Sequence, residues 1–156
     1  MKNNKDFWIE FKSEIKNELT NIDKLEKELT DALKLKENNS KYRIIGSIIH
    51  DFYNCCERIF KKITVEINGG FEETEKWHKK LLYQMTIRIE DIRPRVITEE
   101  LAAELDDYLS FRHAFRNIYG FELKGDRVKR LSKKFKGIAE KFDSEILNFL
   151  DKMEQK

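Results

Sequence analysis

The chain has 156 residues, 40% hydrophobic and 38% charged, enough for one domain with a substantial core, 1–156, and too little to expect two. Lys and Arg total 31 against 29 Asp and Glu, so a net charge of +2 excludes a protein coated for nucleic acid and leaves only a local polyanion site. No stretch approaches the ~20 apolar residues of a membrane span, and MKNNKDFWIEFKSEIK holds no apolar run of signal-peptide length, so a cytoplasmic protein is expected.

A single proline, Pro94, and 6 glycines predict long helices with few breaks, an all-α fold. The first helix, 5–37, sets Trp8, Ile15, Ile22 and Leu29 at seven-residue intervals, with Phe11, Leu25 and Ala32 beside them, which makes one buried seam. ENNSKY supplies turn residues, with Ser40 as the expected cap of a second helix running to 67. Its apolar stripe from Ile45 to Ile63 is broad enough for the centre of a bundle, and NGG at 68–70 ends it. Cys55 and Cys56 are neighbours on this helix, point about 100° apart and cannot pair, which suits a reducing compartment and a packing role.

A third helix, 72–91, places His78, Leu82, Met85 and Ile89 on one stripe and stops before Arg93-Pro94. Glu75 and His78 have the Glu-x-x-His spacing of di-metal carboxylate bundles, but one copy alone predicts no metal, and the lack of a Gly-rich phosphate loop predicts no nucleotide cofactor. Thr98 caps a fourth helix, to 119, with Glu99 and Glu100 in its first turn, where negative charge suits the dipole. GFELKG breaks it, and the last helix, 126–153, repeats the seam with Val128, Phe135, Phe142 and Phe149. Short links between long amphipathic helices predict an antiparallel up-and-down bundle of four main helices plus one extra helix. The run RVKRLSKKFKGIAEK forms either a solvated face or an approach surface for RNA.

The stretch FRHAFRNIYGF, 111–121, departs from this pattern. At 100° per residue, Leu101, Leu105, Tyr108, Leu109, Phe115 and Tyr119 share the direction expected to be buried, and Arg112 and Arg116 fall on it too. His113 and Asn117 form a stripe at its border. Burying an unpaired guanidinium costs roughly several kcal/mol, so the arginines either form internal or inter-subunit ion pairs or line an anion cleft where two forks meet one phosphate. Tyr119 is either a core or interface aromatic or a site at which an added phosphate would occupy the arginines' charge.

Four blocks, DFYNCCERIFKKI (51–63), EKWHKKLLYQM (75–85), IRPRVI (92–97) and LDDYLSFRHAFRNIYGFEL (105–123), together resemble the HepT-like ribonuclease toxins of the HEPN superfamily. Those toxins are the partners of minimal nucleotidyltransferases in toxin–antitoxin pairs. The resemblance implies an all-helical homodimer with a metal-independent endoribonuclease cleft acting on RNA, built from one Arg-x4-6-His motif per subunit and inhibited by a nucleotidyltransferase antitoxin. Arg112 matches the motif arginine, and Tyr119 matches the tyrosine that the nucleotidyltransferase modifies. Asn117 stands where the family pattern has histidine. A carboxamide cannot exchange a proton as an imidazole does, so His113, one turn earlier, becomes the candidate acid–base group. Arg112 and Arg116 are then phosphate binders, with Asn117 and Tyr119 as orienting groups. A non-catalytic partner, or substrate-binding subunit, of a nucleotidyltransferase is the alternative.

Overall fold

The computed structural model describes residues 3–155, which fold into α1 (Asn4–Ala32), α2 (Asn39–Asn68), α3 (Trp77–Gln84), α4 (Glu99–Asn117) and α5 (Gly125–Glu154), with a single 3-10 turn at Gly120–Glu122. Cross-links fix the helix directions. Lys12 near the start of α1 pairs with Glu154 at the end of α5 (2.6 Å), while Lys129 near the start of α5 pairs with Glu37 just beyond α1 (3.2 Å), so these helices run antiparallel. Arg58 and Lys62 of α2 reach Glu18 and Glu14 of α1, and Thr98 at the start of α4 reaches Glu145 late in α5, so these pairs are antiparallel as well. Phe52 packs edge-on to Phe135, and Phe60 to Phe142, which makes α2 and α5 the parallel diagonal of an up-down-up-down bundle.

The core is one continuous cluster, and α2 supplies its centre: Ile45, Ile49, Phe52, Cys56, Ile59, Phe60 and Ile63 are all buried. Tyr108 crosses it from α4 and satisfies its hydroxyl by donating to the Leu131 carbonyl (2.6 Å), which is what a buried phenol requires. Burial pushes the Tyr108 hydroxyl above its ordinary pKa. Among the described residues no helix is long and apolar enough to cross a membrane.

Several element ends differ from the sequence expectation. α1 stops at Ala32 rather than 37, because the hairpin to α2 needs the following residues as a turn, and Leu33 and Leu35 are left exposed. Asn38, not Ser40, caps α2, its side chain accepting from the Lys41 N–H (3.0 Å). Gly69 ends that helix at φ 90°, a left-handed conformation that a residue with a Cβ adopts only under strain.

α3 is far shorter than 72–91. Lys76 is left-handed at its start (φ 62°), and at its end the Met85 carbonyl accepts from Val96 and Ile97 instead of continuing a helix. Arg93 organises this turn. It is 1% exposed, and its guanidinium donates to the carbonyls of Gln84 (3.1 Å), Ile87 (2.8 Å) and Pro94 (3.0 Å) and to Asn68 Oδ1 (3.3 Å). The cation thus gathers carbonyls of the turn that follows α3, two of which, those of Ile87 and Pro94, have no other donor among the described residues.

Candidate functional site

The deeply buried arginine of this protein is therefore Arg93, and the expectation that Arg112 and Arg116 lie on the buried face of α4 is corrected. Arg112 is half-buried, and Arg116, His113 and Asn117 are exposed. The burial direction turns along the helix because Gly46 of α2 has no side chain: a Cβ there would stand 3.0 Å from the Phe115 ring and 3.3 Å from that of Phe111. Phe111 becomes the inward residue of the last turns, and the two arginines move to the margin.

Tyr119 also leaves the buried stripe. α4 ends at Asn117 and Ile118 is extended (φ −124°, ψ 158°), so Tyr119 no longer follows the helical rotation. It is 71% exposed and stacks on Phe121, with ring centroids 5.3 Å apart. The basic residues Lys133, Lys134 and Lys136 of α5 are likewise exposed, and Lys141 is half-buried.

The margin of α4 faces the start of α3 across a cleft of about 830 Å³. From α4 it is lined by Arg112, His113, Arg116 and Asn117, the motif residues, together with Asp106 and Ser110. From the other wall come Glu75, Lys76, His78 and Lys79. Lys79 is neutralised by Asp106 (3.6 Å). Among the described residues neither Arg112 nor Arg116 has a carboxylate partner, so the arginines form no internal ion pair within the chain. Arg112 Nε donates instead to the neutral amide oxygen of Asn54 (2.6 Å), which aims the guanidinium without cancelling its charge. Asn117 turns its Nδ2 back to the His113 carbonyl (2.6 Å).

Behind the arginines, α2 carries a polar stripe that the sequence reading passed over. His50, Asn54 and Glu57 recur at i, i+4 and i+7, and that spacing beside the broad apolar stripe of the central helix was the available signal. Asn54 joins two of the site's groups: its Oδ1 accepts from Arg112 while its Nδ2 donates to His50 Nδ1 (3.3 Å). Burial holds His50 below its ordinary 6.5, and the charges of Arg112 and Arg116 lower it further against an opposing contact with Asp51. Glu57, buried, accepts from His78 Nδ1 (2.8 Å), and the His78 ring lies on Trp77 with centroids 3.6 Å apart.

The cysteines are free and buried, and desolvation pushes the Cys55 thiol up to about 12, so neither is placed to act as a nucleophile. Among the described residues no three His, Cys, Asp or Glu side chains converge as a metal site would require.

Fold and site together define an all-helical bundle protein with a cationic, histidine-bearing cleft between its fourth helix and a short third one. A family model described as HepT-like protein matches residues 44–153, which include both walls of that cleft. The chain belongs to the HepT-like family. Curated proteins and solved structures yield no match to it.

Proposed function

We propose that this protein is a toxin-type HepT-like ribonuclease, acting as a homodimer without a metal and held in check by a nucleotidyltransferase that modifies Tyr119. The observation that carries this reading is Arg112: a half-buried guanidinium, fixed by an amide rather than a carboxylate, at the wall of a cleft it shares with Arg116, His113 and Asn117. A site of that kind has two charges available for a phosphodiester. Arg112 and Arg116 hold the scissile phosphate of RNA, and His113 takes part in proton transfer as the adjacent 2′-hydroxyl attacks. Asn117 orients the chain. The exposure of Tyr119 supports its modification, because a phenol in solvent enters another enzyme's active site without unfolding its own helix.

The test is RNA cleavage in EDTA by the wild type and by Arg112→Ala. Strong cleavage by the first and none by the second is expected, and equal rates reject this cleft as the active site. A second reading has one observation in its favour, the folding back of Asn117 onto its own helix in place of a proton-transferring group. In that case the protein is a non-catalytic partner or substrate-binding subunit of a nucleotidyltransferase. It would form a stable complex with that enzyme and cut no RNA, even when mass spectrometry finds Tyr119 unmodified.

A further inference from the structure

Cleavage of RNA by its own 2′-hydroxyl needs two proton transfers, one from the attacking oxygen and one to the departing oxygen. Asn117 supplies neither, and His113 supplies one. The remaining histidine on the cleft wall is His78, 35 positions before His113 and on a different helix. Its environment differs from that of an exposed surface imidazole. Glu57 reaches it from α2, with a side chain only 6% exposed, and its carboxylate oxygen lies 2.8 Å from His78 Nδ1. Trp77 covers one face of the ring.

From this geometry we infer that His78, aimed by the buried Glu57, is the general base of the cleft, working opposite His113 as the acid. The inference rests on the ribonuclease reading above. A carboxylate only accepts hydrogen bonds, so Nδ1 must carry the proton, and Nε2 of the neutral ring is left with the lone pair. As Nε2 takes the 2′-hydroxyl proton, the oxygen it frees bonds to phosphorus. The P–O5′ bond breaks with its electron pair on O5′, and the His113 imidazolium gives that oxygen its proton. The products are a 2′,3′-cyclic phosphate and a 5′-hydroxyl, and the two imidazoles are reset by proton exchange with solvent. Arg112 and Arg116, on the α4 wall beside His113, hold the phosphate oxygens. Glu57 is a positioning residue: it fixes ring and tautomer and stabilises the imidazolium as it forms.

A purely structural Glu57–His78 bond makes a different prediction, which separates the two accounts. Steady-state cleavage of a short RNA is measured in EDTA for the wild type and for Arg112→Ala, His78→Gln, His78→Gly and Glu57→Gln, with circular dichroism melts as the folding control. His78→Gln is expected to lose about 100-fold or more in kcat with KM within about twofold, and added imidazole is expected to restore part of the rate to His78→Gly. Glu57→Gln should lose about 10-fold to 100-fold in kcat, again with KM nearly unchanged. Should His78→Gln not fold, the near-isosteric Glu57→Gln protein decides: a loss confined to kcat supports the dyad, and an unchanged kcat overturns it. A folded His78→Gln protein that cuts within about threefold of wild type overturns the assignment of the base while leaving the ribonuclease reading intact. If the wild type forms no cyclic phosphate, or Arg112→Ala equals it, the ribonuclease reading itself fails, and this assignment with it.

Discussion

Replacing Arg93 by methionine keeps most of the stem's volume and strips away every donor. Four acceptors lose the guanidinium, but their losses are unequal. The Gln84 carbonyl also accepts from the Ile87 N–H (3.2 Å), and Asn68 stands at the edge of a cavity of about 460 Å³ that borders the turn. The Ile87 and Pro94 carbonyls keep no other hydrogen bond among the described residues. A fully buried acceptor left unpaired costs roughly 1–3 kcal/mol, which sets a ceiling of about 2–6 kcal/mol for the pair, since Ile87 is exposed and Pro94 half-buried. Water entering from the cavity and relief of the buried charge favour the lower half, about 3 kcal/mol. For a chain of this size that corresponds to a melting temperature lower by roughly 6–12 °C. Arg93→Lys, which offers three donors from a single point, should fall between wild type and Arg93→Met. Thermal melts followed by circular dichroism at neutral pH measure both variants. A change under about 2 °C for Arg93→Met would refute the view that this cation holds the turn after α3 together.

Two further predictions concern other buried groups. Because His50 is held below 6.5 in the fold, the unfolded chain binds more protons just beneath that value, so the stability this residue confers is present above 6.5 and lost as the pH falls through the window below it. Melts between about pH 7 and pH 5 should therefore drop less steeply for His50→Gln than for wild type, and parallel slopes would refute the shift; Glu26 and Asp143, whose pKa values burial raises, act oppositely but equally in both proteins. With the Cys55 thiol pushed up to about 12 and Cys56 fully buried, a thiol reagent at about pH 8 should label the folded protein only as fast as it opens, and rapid stoichiometric labelling would contradict that burial.

The helical register of this protein is written plainly in its apolar positions: the seams of α1 and α5 and the broad stripe of α2 are the surfaces that meet. What periodicity could not convey was tertiary. The 3.6-residue rule assumes one burial direction per helix, and Gly46, on another helix, turns that direction at the end of α4. α3 stops early where the Met85 carbonyl turns to the Val96 and Ile97 N–H groups and Arg93 reaches back nine positions to the Gln84 carbonyl, interactions with no local signature. Glu57 and His78 are 21 residues apart on separate helices. His78 stood out only for its spacing from Glu75, Glu57 did not stand out at all, and only the fold brings the Glu57 carboxylate to the imidazole. The arginines of α4 were visible as an anomaly in sequence, but the partner of Arg112, a neutral asparagine in the middle of a core helix, was not.

Asn54 and Glu57 stand one turn apart on α2 and grip the two opposing walls of the cleft, one through Arg112 and the other through His78. Both walls therefore take their positions from the rotation of a single helix whose broad apolar stripe, Ile45 to Ile63, is locked into the hydrophobic interior. A core substitution that turned α2 by a few degrees would displace guanidinium and imidazole together, so the spacing across the cleft is carried as a rigid gauge, and tolerance to change in the oily centre is limited by what happens at the wet edge.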